Sequence, residues 1–221
     1  DENLPYVGRA AFAHKGGIHV AAIRRNISSY QHIDPALVGN KTTVLVSELS
    51  GRGNLLSKAE EYGIQIQDDD QVNRVLNAVK NLESQGYSFE AAEASVMMLF
   101  KRQERNYIPL FELIDFSSVV EHRQGRGLLA EATVKVLVDG EVVHTAAEGN
   151  GPVNALDLAL RKALAARYPG IHQFHLADFK VRILDGKKGT GAVTRVLIDT
   201  RNGKKAWTTV GASANIIEAS W

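Results

Sequence analysis

Phe111-Glu112-Leu113-Ile114-Asp115-Phe116 returns as Phe174-His175-Leu176-Ala177-Asp178-Phe179, and the echo continues to the end of the chain. Around the first copy the apolar residues recur with a period of two, the mark of a strand with one buried face. Residues 111–122, 130–138 and 141–147 read as three strands. Asp139-Gly140 joins the last two. That dipeptide suits a two-residue hairpin turn, whose two central positions both take positive φ. Gly149-Asn150-Gly151-Pro152 then opens a helix with Leu156, Ala159, Leu160, Ala163 and Leu164 on one face. Proline fits a first helical position, where its missing N–H costs nothing. Tyr168-Pro169-Gly170 ends the helix.

In the second copy Asn202-Gly203 stands for Asp139-Gly140, and Thr208 for Thr145. The segment 211–215 stands for 149–154 and opens a second helix at Ile216. Two strand-strand-strand-helix units about 63 residues apart are therefore expected. One such unit has a single oily sheet face and one helix, too little for a core. Two units packed about a pseudo-twofold axis can enclose one. The expected class is α+β.

The first hundred residues are patterned differently. Residues 1–53 are rich in Gly, Ser and Asn, with short periodic pieces such as Val44-Leu45-Val46. Residues 54–62 read as a short helix ended by Gly63. Asp68-Asp69-Asp70 supplies an N-cap and first-turn carboxylates to a helix carrying Val72, Val75, Leu76, Val79 and Leu82. Gly86 stops it. Ser88 is expected to cap the next helix, whose stripe is Phe89, Ala92, Val96, Leu99 and Phe100. The expected division is a linker region over 1–106, with a loop part at 1–53 and a helical part at 54–106. A second region then covers 107–221, with repeats at 107–170 and 171–221.

Composition narrows the function classes. The 221 residues carry 26 basic and 25 acidic side chains, a net charge of +1, without the basic excess of a nucleic-acid binder. Lys187-Lys188 and Lys204-Lys205 sit in turn-like sequence, as solvated charge does. No apolar run reaches the ~18–20 residues of a membrane span. The absence of Cys excludes disulfides and thiolate metal sites and fits a reducing compartment, the cytoplasm. Asp-Glu-Asn-Leu-Pro at the start is unlike a signal peptide.

Titratable residues gather near Gly16-Gly17. His14 and His19 flank it, and Tyr30 follows. Helical metal pairs prefer a spacing of four with a Glu between, so packed or capped loop histidines are the plainer reading. His172-x-x-His175 has no acidic third ligand nearby and reads as no metal site. Arg9, Arg24 and Arg25 suit either an anionic ligand or inter-subunit ion pairs. Arg52 suits an ion pair at a helix start.

The strings A-F-A-H-K-G-G-I-H-V-A-A-I (11–23), Y-Q-H-I-D-P-A-L-V-G-N (30–40) and V-S-E-L-S-G-R-G-N (46–54) carry a resemblance. They resemble the post-barrel region of the 2-isopropylmalate, homocitrate and citramalate synthase family, nearest its citramalate-synthase-like branch. The match is strong from Pro5 to about Gln103 and looser to Trp221. Members of that family begin with a (β/α)₈ barrel that binds a divalent metal, a 2-oxo acid and acetyl-CoA. The resemblance therefore implies that this chain is a C-terminal piece, inert alone and without a cofactor of its own.

The resemblance gives His19 and Tyr30 catalytic roles, reaching into the partner subunit's barrel. Condensation needs a base for the acetyl methyl proton and donors for developing oxyanions. A near-neutral imidazole and a phenol suit those tasks. His14 and Lys15 are expected to position the loop. The βββα pair resembles the family's regulatory domain, which implies a homodimer and a branched-chain amino acid effector. Gly149, Gly151, Val153, Gly211, Ala212 and Ala214 are the expected effector-binding residues. Small residues before a helix expose backbone N–H groups to a carboxylate, although tight strand-to-helix turns need glycine too. The expected substrate is pyruvate, on the route to isoleucine. A free-standing amino-acid-binding module and a purely dimerising scaffold are the competing readings.

Overall fold

The computed structural model describes residues 4–8, 10–47, 50–203 and 205–221, apart from the side chains of Arg24 and Asp69. Arg9, Lys204 and the Arg24 side chain, weighed above, lie outside the described residues. The chain is α+β: small helices come first, and two separate three-stranded sheets follow.

The first region starts with β1 (Ala13–His14), α1 (Gly17–Arg25) and β2 (Thr43–Val44), with β1 and β2 paired in parallel. Between them Asn26 caps a single 3-10 turn through the Ser28 N–H. Asp34 caps another through Ala36, with Pro35 leading it and Gly39 closing it at φ 71. Next come α2 (Arg52–Glu61), α3 (Asp69–Ser84) and α4 (Glu93–Arg102). The Asp68 carboxylate accepts from the Gln71 N–H at 2.6 Å, the cap expected there. The positive φ of 108 at Gly86 turns the chain away after α3.

The expected cap at Ser88 is corrected. α4 begins at Glu93, behind Ala92, with no side-chain cap. Glu83 takes the Phe89 N–H, while Phe89 and Ala92 are buried as part of the turn. The helical core gathers Val46, Leu55, Ala59, Val72, Val75, Val79, Phe89, Val96 and Phe100.

The first βββα unit is β3 (Glu112–Arg123), β4 (Gly127–Val138), β5 (Glu141–Gly149) and α5 (Pro152–Leu164). The second is β6 (His175–Ile183), β7 (Thr194–Asn202), β8 (Lys205–Ser213) and α6 (Ile216–Ser220). Both sheets are antiparallel meanders with the middle strand in the centre. Both carry a bulge at the same place, between Leu113 and Asp115 and between Leu176 and Asp178. Asp139 and Gly140 take φ 50 and 80, as a primed hairpin turn requires. Pro152 opens α5.

The alignment of the repeats needs correction past β6. β6 lies 63 residues after β3, from Asp115 to Asp178, but β7 lies 64 after β4, from Lys135 to Asp199. The β6–β7 connection contains a 3-10 segment at Gly186–Gly191, where β3 and β4 join by a tight turn, and this absorbs the extra residue. Thr209, opposite Ile198, therefore matches Thr145, opposite Val134. Ser213 matches Gly149, and Gly211 matches Ala147. In the second hairpin Asn202 pairs with Lys205, as Val138 pairs with Glu141, so the strands close one residue later than expected.

The helical region docks on the second unit. Arg195 donates from Nε to the Gly86 carbonyl at 2.5 Å and from Nη2 to the Tyr87 carbonyl at 3.1 Å. The Val210 N–H donates to Ser95 Oγ at 3.0 Å, placing α4 beside β8. Burial lowers the Arg195 pKa first, with nearby Arg182 adding to it. A guanidinium stays charged through that shift.

Candidate functional sites

His19 sits in the first turn of α1, and Tyr30 closes the 3-10 turn at Ile27–Ser29. Their rings stack with centroids 4.1 Å apart and planes 22° from parallel. Both are exposed, Tyr30 at 48%. The structure thus joins the two residues given catalytic roles and presents them on one solvent-facing surface.

What holds them was hidden in the sequence. Gln31, next to Tyr30, points inward and is 6% exposed. Its Nε2 donates to Thr42 Oγ1 at 2.8 Å and lies 3.1 Å from His14 Nε2. If Gln31 donates there, His14 accepts at Nε2 and carries its proton on Nδ1. Burial lowers the His14 pKa, and His19 lowers it further. Lys15 Nζ ties this loop to Glu90 at 2.6 Å. Asn54 Nδ2 holds the Lys15 carbonyl at 3.0 Å. Asn40 grips the carbonyls of Tyr6 and Gly8, both at 2.8 Å. A lone Asn or Gln in a loop or at a helix start carries no sequence signature of such a latch. A cleft of about 330 Å³ beside His14 is walled by Val20, Ile23, Lys41, Thr42 and Val44.

The small residues expected at the effector site fall into two settings. Gly149 ends β5, Gly151 is the N-cap of α5, and Val153 lies in its first turn. Gly211 and Ala212 lie inside β8, and Ala214 precedes α6. A Cβ on Gly149 would come 2.5 Å from the Ala155 backbone N, and one on Gly211 would come 2.1 Å from the Ala219 carbonyl oxygen. Helix and strand approach too closely there for any side chain. Nothing within 4 Å would meet a Cβ on Gly151.

The two turns also differ as anion sites. In the second, Ser213 Oγ takes the Asn215 N–H, and Asn215 Oδ1 takes the Ile217 N–H. Glu218 lies there as well, accepting from Ser213 Oγ at 2.5 Å. In the first, Asn154 takes the Asn150 N–H, and α5 begins without a side-chain cap. The first turn is therefore the one that offers helix N–H groups to a carboxylate.

Among the described residues, no three His, Cys, Asp or Glu side chains gather as a metal site. No helix of the described residues is long and apolar enough to cross a membrane.

Residues 90–221 match the LeuA allosteric (dimerisation) domain. The chain belongs to the LeuA allosteric (dimerisation) domain family. Residues 6–87 match the homocitrate synthase post-HMGL domain-like family. The LeuA-domain match begins inside the helical region, consistent with the packing of α4 on β8. The chain is 52% identical over 228 residues to the (R)-citramalate synthase of Synechocystis sp., covering 100% of this chain and 41% of that protein. It is 50% identical over 223 residues to the (R)-citramalate synthase of Geobacter sulfurreducens, covering 100% and 42%. With the (R)-citramalate synthase of Aquifex aeolicus the identity is 47% over 221 residues, covering 99% and 42%. The chain spans about two fifths of the length of these relatives.

Proposed function

We propose that this LeuA-domain chain is the linker and regulatory portion of a cytoplasmic acyltransferase that condenses acetyl-CoA with pyruvate to citramalate. In that reaction a base removes a methyl proton of the thioester. The resulting carbon attacks the ketone of the oxo acid, and water then cleaves the thioester to release coenzyme A. The metal that polarises the oxo acid would belong to a preceding barrel. This chain's part is the exposed His19–Tyr30 pair, held outward by the Gln31–His14–Thr42 latch. The match along the whole of this chain to part of the (R)-citramalate synthases carries the reading.

In the same reading residues 1–106 form the linker and 107–221 the regulatory domain of a homodimer. Apolar residues exposed on the sheets, among them Leu128, Val142, Leu176 and Ile183, suit a second copy. The effector is a branched-chain amino acid, isoleucine in a route to isoleucine. Its carboxylate meets the N–H groups at Gly151 and Val153, and Gly149, Gly211, Ala212 and Ala214 set the shape around it.

The test uses the full-length synthase. His19→Ala and Tyr30→Phe each lower turnover ~10²–10⁴-fold, as loss of a positioned acid or base does. Neither changes the unfolding midpoint, since neither side chain is buried. Near-normal turnover in both variants overturns the catalytic assignment. Gly151→Asp places a carboxylate where the effector's own should bind. It leaves uninhibited activity intact and weakens isoleucine inhibition, which itself rests on a coupling between sites of about 5–150-fold in affinity. Unchanged inhibition moves the effector site elsewhere.

A further inference from the structure

The cleft of about 330 Å³ beside His14 runs along α1 and α2. α1 gives it Val20 and Ile23, and α2 gives Ser57 and Glu61. The paired β1 and β2, with the residues leading into β2, give His14, Lys41, Thr42 and Val44. Residues four apart share one face of a helix, so Ile23 sits one turn along α1 from His19. The cleft therefore lies on the flank of the His19–Tyr30 pair. Burial, and then the charge of His19, lowers the His14 pKa, so the cleft wall and the pair are within electrostatic reach.

The lining is of mixed character. Val20, Ile23 and Val44 give aliphatic surface, and His14, Thr42 and Ser57 add polar groups that carry no charge near neutral pH. Lys41 is exposed and has no ion pair among the described residues. Glu61 is already engaged, since Lys58 donates to its Oε2 at 2.8 Å. The volume is at the small end of the ~300–1,000 Å³ of ligand clefts. The surrounding sequence is basic. Residues 3–47 hold Arg9, Lys15, Arg24, Arg25 and Lys41 against Asp34, in a chain whose net charge is +1. Such a local excess raises the concentration of an anionic ligand near the pair.

A coenzyme A thioester has the matching profile. Its pantetheine arm is a narrow chain with a dimethyl-substituted carbon and amides, and phosphates follow it. We propose that the cleft holds the pantetheine arm of acetyl-CoA, with the acetyl group at the His19–Tyr30 pair and the phosphates beside Lys41. This rests on the proposed condensation and names a site for one of its substrates. The cleft has room for the arm and not for the nucleotide with it. Anchoring a remote part of the substrate orients the reacting methyl group toward its base, which is how binding energy is turned into rate.

The experiment uses the full-length synthase, pyruvate and three thioesters. Acetyl-CoA is read by its KM. S-Acetylpantetheine lacks the phosphates, and S-acetyl-N-acetylcysteamine also lacks most of the arm; both are read by their competition with acetyl-CoA. Ser57→Phe fills the cleft, with Ser57→Leu as the smaller filler should the ring disturb folding. It should weaken acetyl-CoA and S-acetylpantetheine about ten-fold or more, the scale of one misfitting methylene in an apolar pocket. S-Acetyl-N-acetylcysteamine should compete as it does with the wild type. Lys41→Met should weaken acetyl-CoA about five-fold at low salt, the upper range of an exposed ion pair, and leave S-acetylpantetheine unchanged. A filled cleft that spares S-acetylpantetheine, or that weakens all three thioesters alike, overturns the site. Lys41→Met that weakens S-acetylpantetheine as much as acetyl-CoA overturns the placing of the phosphates. A wild-type enzyme that does not condense acetyl-CoA with pyruvate overturns the condensation reading and this site with it. Condensation that proceeds with KM unmoved by Ser57→Phe and Ser57→Leu overturns the site alone.

Discussion

In the first βββα unit Ala130, Ala132, Val134, Val136 and Val138 of β4 are all buried, whereas in the second unit Val196 is the one buried residue of β7. The strands are equivalent by register, yet Val136 is matched by Thr200 and Val138 by Asn202. α5 covers β4 and β5 over 13 residues, and Thr145 Oγ1 donates to the Ala159 carbonyl at 2.7 Å to fasten it. α6 spans 5 residues. The second unit compensates with neighbours: Arg195 reaches the turn after α3, Ser95 meets β8, and Val210 joins the helical core. One repeat is thus closed by its own helix, and the other is fastened to the helical region. Direct hydrogen bonds thus join the second sheet to the helical region.

The sharpest way to break this comparison is to force the helices away. Gly149→Ala sets a methyl against the backbone of α5 and should destabilise the first unit by about 3 kcal/mol, the upper end of overpacking costs. Gly211→Ala also meets backbone but displaces only the short α6, so about 1 kcal/mol is expected on the same scale. Urea unfolding of both variants checks the order, and equal losses would erase the contrast.

A smaller effect is expected at the junction. Arg195→Met leaves the Gly86 and Tyr87 carbonyls without their charged donor, at a cost of about 1–2 kcal/mol. Hydrogen exchange should quicken around 84–88 and in β8 while β4 keeps its protection. Uniform loosening of both sheets would show that the repeats are not separately fastened.

The smallest effect concerns the loop segment against the sheets. Burial depresses the His14 pKa in the folded chain, so the unfolded chain binds its proton more readily. Its stabilising contribution is full above the ordinary histidine value and declines as pH falls toward and through the lowered value. Hydrogen exchange near β1 and β2 should therefore rise on mild acidification while β4 stays protected, and His14→Gln should flatten the response. An acid response that persists in His14→Gln assigns it to another group.

The sequence by itself determined the local elements. Asp139-Gly140, Pro152 and Asp68 act on backbone within a few residues, so hairpin, helix start and cap were legible. Alternation in β4 and helical spacing in α3 and α5 settled which faces turn inward. The linked appearance of His19 and Tyr30 was legible as a motif, but their stacking was not. Tertiary structure alone decided the one-residue shift past β6, which a longer connection absorbs and which similar residue types disguise. It alone turned Gln31 inward toward His14 and Thr42, brought Arg195 to the end of α3, and assembled His14, Ile23, Lys41 and Ser57 around one cleft. Those partners lie between 11 and 109 residues apart in the chain for the bonds seen directly. Turn chemistry and periodicity reach only a few positions along a sequence. Contacts over longer separations are fixed by which faces must be buried together, and that is settled when the core packs.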